Sequence, residues 1–145
     1  MATFTSILCP TDFSPPSQEA FRIACSLARD YGARLILLHV KPREPNPSGV
    51  MTMTPEPPEV LAERRSQLNA IEPAVPGIQL ERHLVTGSEA DDIVRIAADK
   101  KCDLIVMGTH GRTGLTRLLL GSVAEHVLRY APCAVLTVRA AVETH

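Results

Sequence analysis

The residues best suited to chemistry form one run, Gly108-Thr109-His110-Gly111-Arg112-Thr113-Gly114-Leu115-Thr116-Arg117-Leu118-Leu119-Leu120-Gly121-Ser122. Gly108, Gly111 and Gly114 free the backbone to turn its N–H groups inward and to approach a ligand closely. Gly121-Ser122 reads as a helix start, where unpaired N–H groups and the positive end of the helix dipole attract an anion. Ser122 can add a hydroxyl donor and Arg112 a charge, while Arg117 reads equally well as a solvated side chain. The run lacks the Gly-Lys-Ser/Thr of a Walker A loop and the G-x-G-x-x-G of a dinucleotide site. Glycines after a strand more often make a tight turn than a phosphate cradle, so spacing alone leaves both readings open.

Other candidates divide in the same way. His110 can bond a phosphate or ribose through a ring nitrogen, act as a general base, or stand exposed on its loop. No carboxylate lies beside it in sequence to orient it as a base. Asp12, preceded by Pro10 and Thr11, can accept from a ribose hydroxyl or serve as a turn residue before Ser14. Val40 can act only through its backbone, and its side chain reads as core. His39, inside an apolar strand, reads as a core histidine. Ser14 precedes two prolines and reads as a cap, and no G-x-S-x-G elbow occurs. No carboxylate pair marks a metal site. A divalent ion would arrive with a triphosphate, held by its oxygens and by water.

The elements that must position these residues alternate along the chain. Ile7 to Cys9 reads as a strand that stops at Pro10. Ser14 caps a helix whose apolar residues run from Ala20 to Tyr31, and Gly32 closes it. Leu35 to Val40 is a continuous apolar strand of the kind covered on both faces. Residues 42–58 hold six of the twelve prolines and read as a long mobile loop. A helix is expected over Glu59–Ile71, a strand with one less buried side over Ile78–Val85, and a helix capped by Ser88. A strand follows over Leu104–Met107, then a helix over Ser122–Tyr130 and a strand over Ala134–Val138. This order predicts a doubly wound α/β fold, a mostly parallel sheet with helices on both faces. Ligands of such sheets sit beyond the carboxyl ends of the strands, at the switch in strand order. That rule selects Pro10-Thr11-Asp12, Val40 and the run from Gly108.

Length and composition bound the rest. The 145 residues argue for one domain, 1–145, with its own core. A formal net charge of -1 and the absence of Trp argue against a nucleic-acid surface or an acidic-lipid surface. Cys9, Cys25, Cys102 and Cys133 form no C-x-x-C pair and read as reduced, buried thiols; a redox sensor would need a low-pKa exposed one. No stretch resembles a signal peptide and none approaches the ~20 apolar residues of a membrane span, so a cytoplasmic protein is expected. Ala134 to Val138 is apolar on both pleat faces. At a sheet edge it would pair with the same strand of a second copy, giving a homodimer.

Gly108-x2-Gly111-x9-Gly121-Ser122 resembles the ATP-binding motif of the universal stress protein family. Ile7 to Ser14 is similar to that family's first strand and aspartate turn, and Ser122 to Val135 to its last helix and strand. The likeness spans the chain apart from the proline-rich middle. It implies a Rossmann-like five-stranded parallel sheet of order 3-2-1-4-5 and a homodimer. It implies a nucleotide site made of Pro10, Thr11, Asp12, Val40, Gly108, Thr109, His110, Gly111, Arg112, Gly121, Ser122 and Val123. Asp12 would lie near the adenosine, the Val40 backbone would meet adenine, and the glycine run would wrap ribose and phosphates. Thr109 stands where many members carry serine, which keeps the hydroxyl. The implied ligand is ATP, with ADP or AMP as alternatives, accompanied by Mg2+ or Mn2+. The implied role is stress-response regulation through the dimer or an unidentified protein partner. A slow ATPase or phosphotransferase and a nucleotide-free interaction module remain the alternatives.

Overall fold

Each apolar run of the sequence becomes a strand and each amphipathic run a helix. The computed structural model describes residues 3–43, 57–110 and 120–139. In chain order the elements are β1 (Ser6–Pro10), α1 (Pro15–Tyr31), β2 (Arg34–Pro42), α2 (Pro58–Asn69), β3 (Gln79–Gly87), α3 (Glu89–Asp99), β4 (Leu104–Gly108), α4 (Ser122–Tyr130) and β5 (Ala134–Val138). The five strands form one parallel sheet in the order β3-β2-β1-β4-β5, as expected.

Side-chain alternation along the strands builds two cores. Ile7, Cys9, Leu35, Leu37, Leu104 and Val106 face α1, with Phe21 and Ala24 of that helix and Leu68 of α2. Leu8, Ile36, Leu38, Ile105 and Met107 face the other way, against Ile93 and Ala97 of α3 and Ala124 and Val127 of α4. β1 is wholly buried because it lies between β2 and β4 and is covered on both faces. β3 is an edge strand and only half-buried, which accounts for its Arg82 and His83.

Local signals set most boundaries. Gly32 takes φ 66°, and the amide of Ala33 donates to the carbonyl of Ala28 at 2.9 Å, closing α1 in a Schellman motif. α2 stops at Asn69 rather than at Ile71. The Ile71 carbonyl instead accepts from Arg82 Nη2 at 2.6 Å, pinning the chain to β3. β2 and β3 outrun their expected ends because they stay in register as far as Pro42 and Gly87. Most of the expected loop, residues 44–56, lies outside the described residues. Ser88 occupies the N-cap of α3, but its hydroxyl donates to the Asp91 carboxylate at 3.2 Å and caps no backbone group.

Cys9, Cys25 and Cys102 are buried, Cys133 is half-buried, and all four are unpaired thiols. Burial pushes the Cys25 and Cys133 thiols up to about 11 and raises those of Cys9 and Cys102 as well. None therefore carries the thiolate character that a redox sensor needs. No helix among the described residues is long and apolar enough to cross a membrane.

Candidate functional site

β1 and β4 are neighbours whose following helices lie on opposite faces of the sheet. Beyond their carboxyl ends the sheet opens into a cavity of about 380 Å³.

The first wall is the turn after β1. The Thr11 amide donates to the Leu38 carbonyl at 2.8 Å, which extends the β1–β2 ladder by one residue. Phe13 follows with φ 67°, a left-handed conformation unusual for a bulky side chain. Its amide donates to Thr11 Oγ1 at 3.1 Å, and Thr11 Oγ1 also meets Ser17 Oγ at 3.1 Å. Asp12 Oδ1 accepts from the Ser14 amide at 3.0 Å and from the Ser14 hydroxyl. Asp12 thus fills the turn role open to it in sequence, and it also lines the cavity.

The second wall is the glycine run after β4. A Cβ on Gly108 would stand 2.8 Å from Pro16 Cβ and 3.1 Å from the Pro16 carbonyl carbon, so β4 ends hard against the first turn of α1. The Thr109 amide donates to the Val138 carbonyl at 2.9 Å, and the Thr109 carbonyl accepts from the Gly121 amide at 2.8 Å. One residue thereby ties the end of β5 to both ends of the glycine run. His110 Nδ1 lies 3.0 Å from Thr109 Oγ1. α4 then starts at Ser122 behind Gly121, whose lack of a side chain leaves the first turn with no side-chain cap.

Pro10, Thr11, Asp12, Val40, Gly108, Thr109, His110, Gly121, Ser122 and Val123 all line this cavity. Gly111 and Arg112 lie outside the described residues. The lining also includes residues that sequence reasoning did not select. His39 is buried in the core as expected, yet it borders the cavity, and its Nδ1 donates to the Thr11 carbonyl at 2.8 Å. Lys41 is only 2% exposed, and its Nζ donates to the Pro42 carbonyl at 3.2 Å. Its signal was a lone cation at the carboxyl end of an apolar strand. Arg64 of α2 and Glu89 of α3 bring charge from helices remote in sequence, and Ile93 and Met107 supply an apolar floor. No group of three or more His, Cys, Asp or Glu among the described residues is placed to hold a metal ion.

Farther along α4, His126 Nε2 meets Asp91 Oδ1 of α3 at 3.0 Å, while Glu125 and Arg129 pair with each other at 3.4 Å. His126 therefore joins α3 and α4.

A model of the Universal stress protein family matches residues 3–139. Universal stress protein MJ0531 of Methanocaldococcus jannaschii is 36% identical over 142 residues, spanning 94% of this chain and 82% of that protein. Universal stress protein UspA from Lactobacillus plantarum superposes with a TM-score of 0.74 at 26% identity, covering 96% of this chain and all of that one. A universal stress protein solved in complex with cAMP superposes with a TM-score of 0.66 at 26% identity, covering 97% of this chain and 100% of that one. With the sheet order, the glycine run and these likenesses together, the chain belongs to the universal stress protein family.

Proposed function

We propose that this chain binds ATP in the cavity at the carboxyl ends of β1, β2 and β4 and acts as a regulatory module in the cytoplasm. The observation that carries the reading is the meeting of four features in one cavity: the Asp12 turn, the Val40 backbone, the Gly108–His110 corner and the uncapped start of α4. The cavity lies within the size range of small-molecule sites, roughly 300–1,000 Å³. A relative with an adenine nucleotide bound, the cAMP complex, supports the same ligand class.

In this reading the Ser122 and Val123 amides and the Ser122 hydroxyl hold phosphate at the positive end of α4. Gly111 and Arg112 complete those contacts. The Asp12 carboxylate takes a ribose hydroxyl, and the Val40 backbone reads the base. ADP and AMP would use the same adenosine contacts with fewer phosphate contacts. Mg2+ or Mn2+ enters with the triphosphate and screens its charge. The edge strand β5 pairs with its copy in a homodimer, so nucleotide state reaches the dimer surface through the Thr109–Val138 bond.

The test is a calorimetric titration of nucleotide-stripped protein with ATP and Mg2+, repeated on Gly111→Val. Saturable binding by the wild type, weakened at least about tenfold by the branched side chain, is expected. Equal affinities would overturn the site assignment, and no binding by folded wild-type protein would overturn the function.

A further inference from the structure

Phe13 holds a left-handed backbone that a bulky residue adopts only where its surroundings impose it. His39 supplies two of the contacts around that turn. The Phe13 ring stacks against the imidazole of His39, with centroids 4.4 Å apart and planes tilted by 40°. The same imidazole reaches the Thr11 carbonyl at 2.8 Å. A carbonyl only accepts, so Nδ1 carries the hydrogen. His39 therefore grips both sides of Asp12: the peptide that precedes it and the ring that follows it. Two further bonds flank that peptide, Phe13 amide to Thr11 Oγ1 and Ser14 amide to Asp12 Oδ1.

We propose that His39 is the positioning residue of the cavity. By holding the Thr11–Asp12 peptide and backing Phe13, it aims the Asp12 carboxylate at the bound nucleotide. The inference rests on the nucleotide reading for its functional side, and on the geometry of the turn alone for its structural side. His39 contributes no charge to the phosphates in this scheme. It acts through Asp12, so its effect depends on where its donor nitrogen stands and not merely on filling space.

Two variants of similar polarity separate those possibilities. In His39→Asn the amide nitrogen stands as many bonds from the backbone as Nδ1 and can still meet the Thr11 carbonyl. In His39→Gln it stands one bond farther out. ATP affinity by calorimetry, and amide hydrogen exchange of Phe13 and Ser14, are measured on both and on the wild type. His39→Asn keeps the donor but loses the ring behind Phe13, so affinity within about threefold of wild type and amide exchange accelerated by less than about threefold are expected. For His39→Gln, affinity falls and exchange of those amides accelerates, each by about tenfold, while the β2 amides of Leu35 to Leu38 keep their protection. Combined with Asp12→Ala, the Gln variant weakens binding by less than the product of the two separate losses, because one effect passes through the other. Asn and Gln variants that behave alike in both measurements, or fully multiplicative losses, would overturn the proposal. If the wild type binds no ATP, the nucleotide reading falls, and the exchange comparison by itself decides whether His39 holds the turn.

Discussion

Two strand-to-helix junctions face the same cavity, and they treat their helix ends in opposite ways. At the β1–α1 junction the N-terminal donors are already spent. Pro15 and Pro16 have no N–H, and the Ser17 amide donates to the Ser14 hydroxyl at 3.4 Å. At the β4–α4 junction the N-cap is Gly121, and among the described residues no side chain caps the first turn. Both helix starts line the cavity, and of the two only α4 has a first turn without a side-chain cap among the described residues. Under the nucleotide reading proposed above, the phosphate site is set as much by the missing cap of α4 as by the helix itself.

That contrast can be broken from several directions. The largest effect is expected at Gly108, where the two junctions touch. Gly108→Val drives a branched side chain into Pro16, costs about 2–3 kcal/mol of stability and abolishes ATP binding, as followed by thermal unfolding and calorimetry. Gly121→Asp gives α4 the cap it lacks. The new carboxylate takes the open donors and repels phosphate, so ATP affinity falls about tenfold while stability rises by about 0.5 kcal/mol. A parallel fall in both would mean that Gly121 is needed for space and not for its open donors. Ser14→Ala at the other junction should show the reverse ranking, losing about 1 kcal/mol of stability with affinity changed by less than about threefold.

The smallest effect on binding is expected at the far end of the sheet. The Asp103 carboxylate, at the amino end of β4, accepts from the Thr5 amide at 2.9 Å and the Ser6 amide at 3.2 Å. Partial burial opposes its ionisation, yet these bonds together hold its carboxyl below the usual range. A depressed folded-state pKa gives stability that is present above the unfolded value, about 3.9, and lost as pH falls through the folded one. Asp103→Asn should therefore flatten the acid limb of the stability curve below about pH 4 and leave ATP affinity unchanged.

Much of the fold was legible because its signals are local. Ser14 with two prolines, Gly32 and the apolar runs each speak for themselves, and the structure places the elements where they indicate. The strand order was legible through family resemblance, since periodicity alone does not rank neighbours. The charged parts of the cavity were not legible. Lys41 looks like any strand-end lysine until β3 covers it, and Arg64 and Glu89 reach the cavity from helices whose docking no local pattern encodes. His39 was read as core, which it is. Its second role depends on a turn far from it in sequence whose carbonyl happens to meet its ring. Ser88 erred the other way: its position is that of a cap, but a neighbouring carboxylate competes for its hydroxyl.

The paired bonds of Thr109 have a consequence for how this protein can vary. With the Gly121 amide fastened to the Thr109 carbonyl, the glycine run departs and returns at nearly one point of the scaffold. Closing a flexible loop between two such anchors costs entropy that rises by only about 0.6 kcal/mol for each doubling of its length. A change of length between Thr109 and Gly121 is therefore expected to leave sheet and helices as they are.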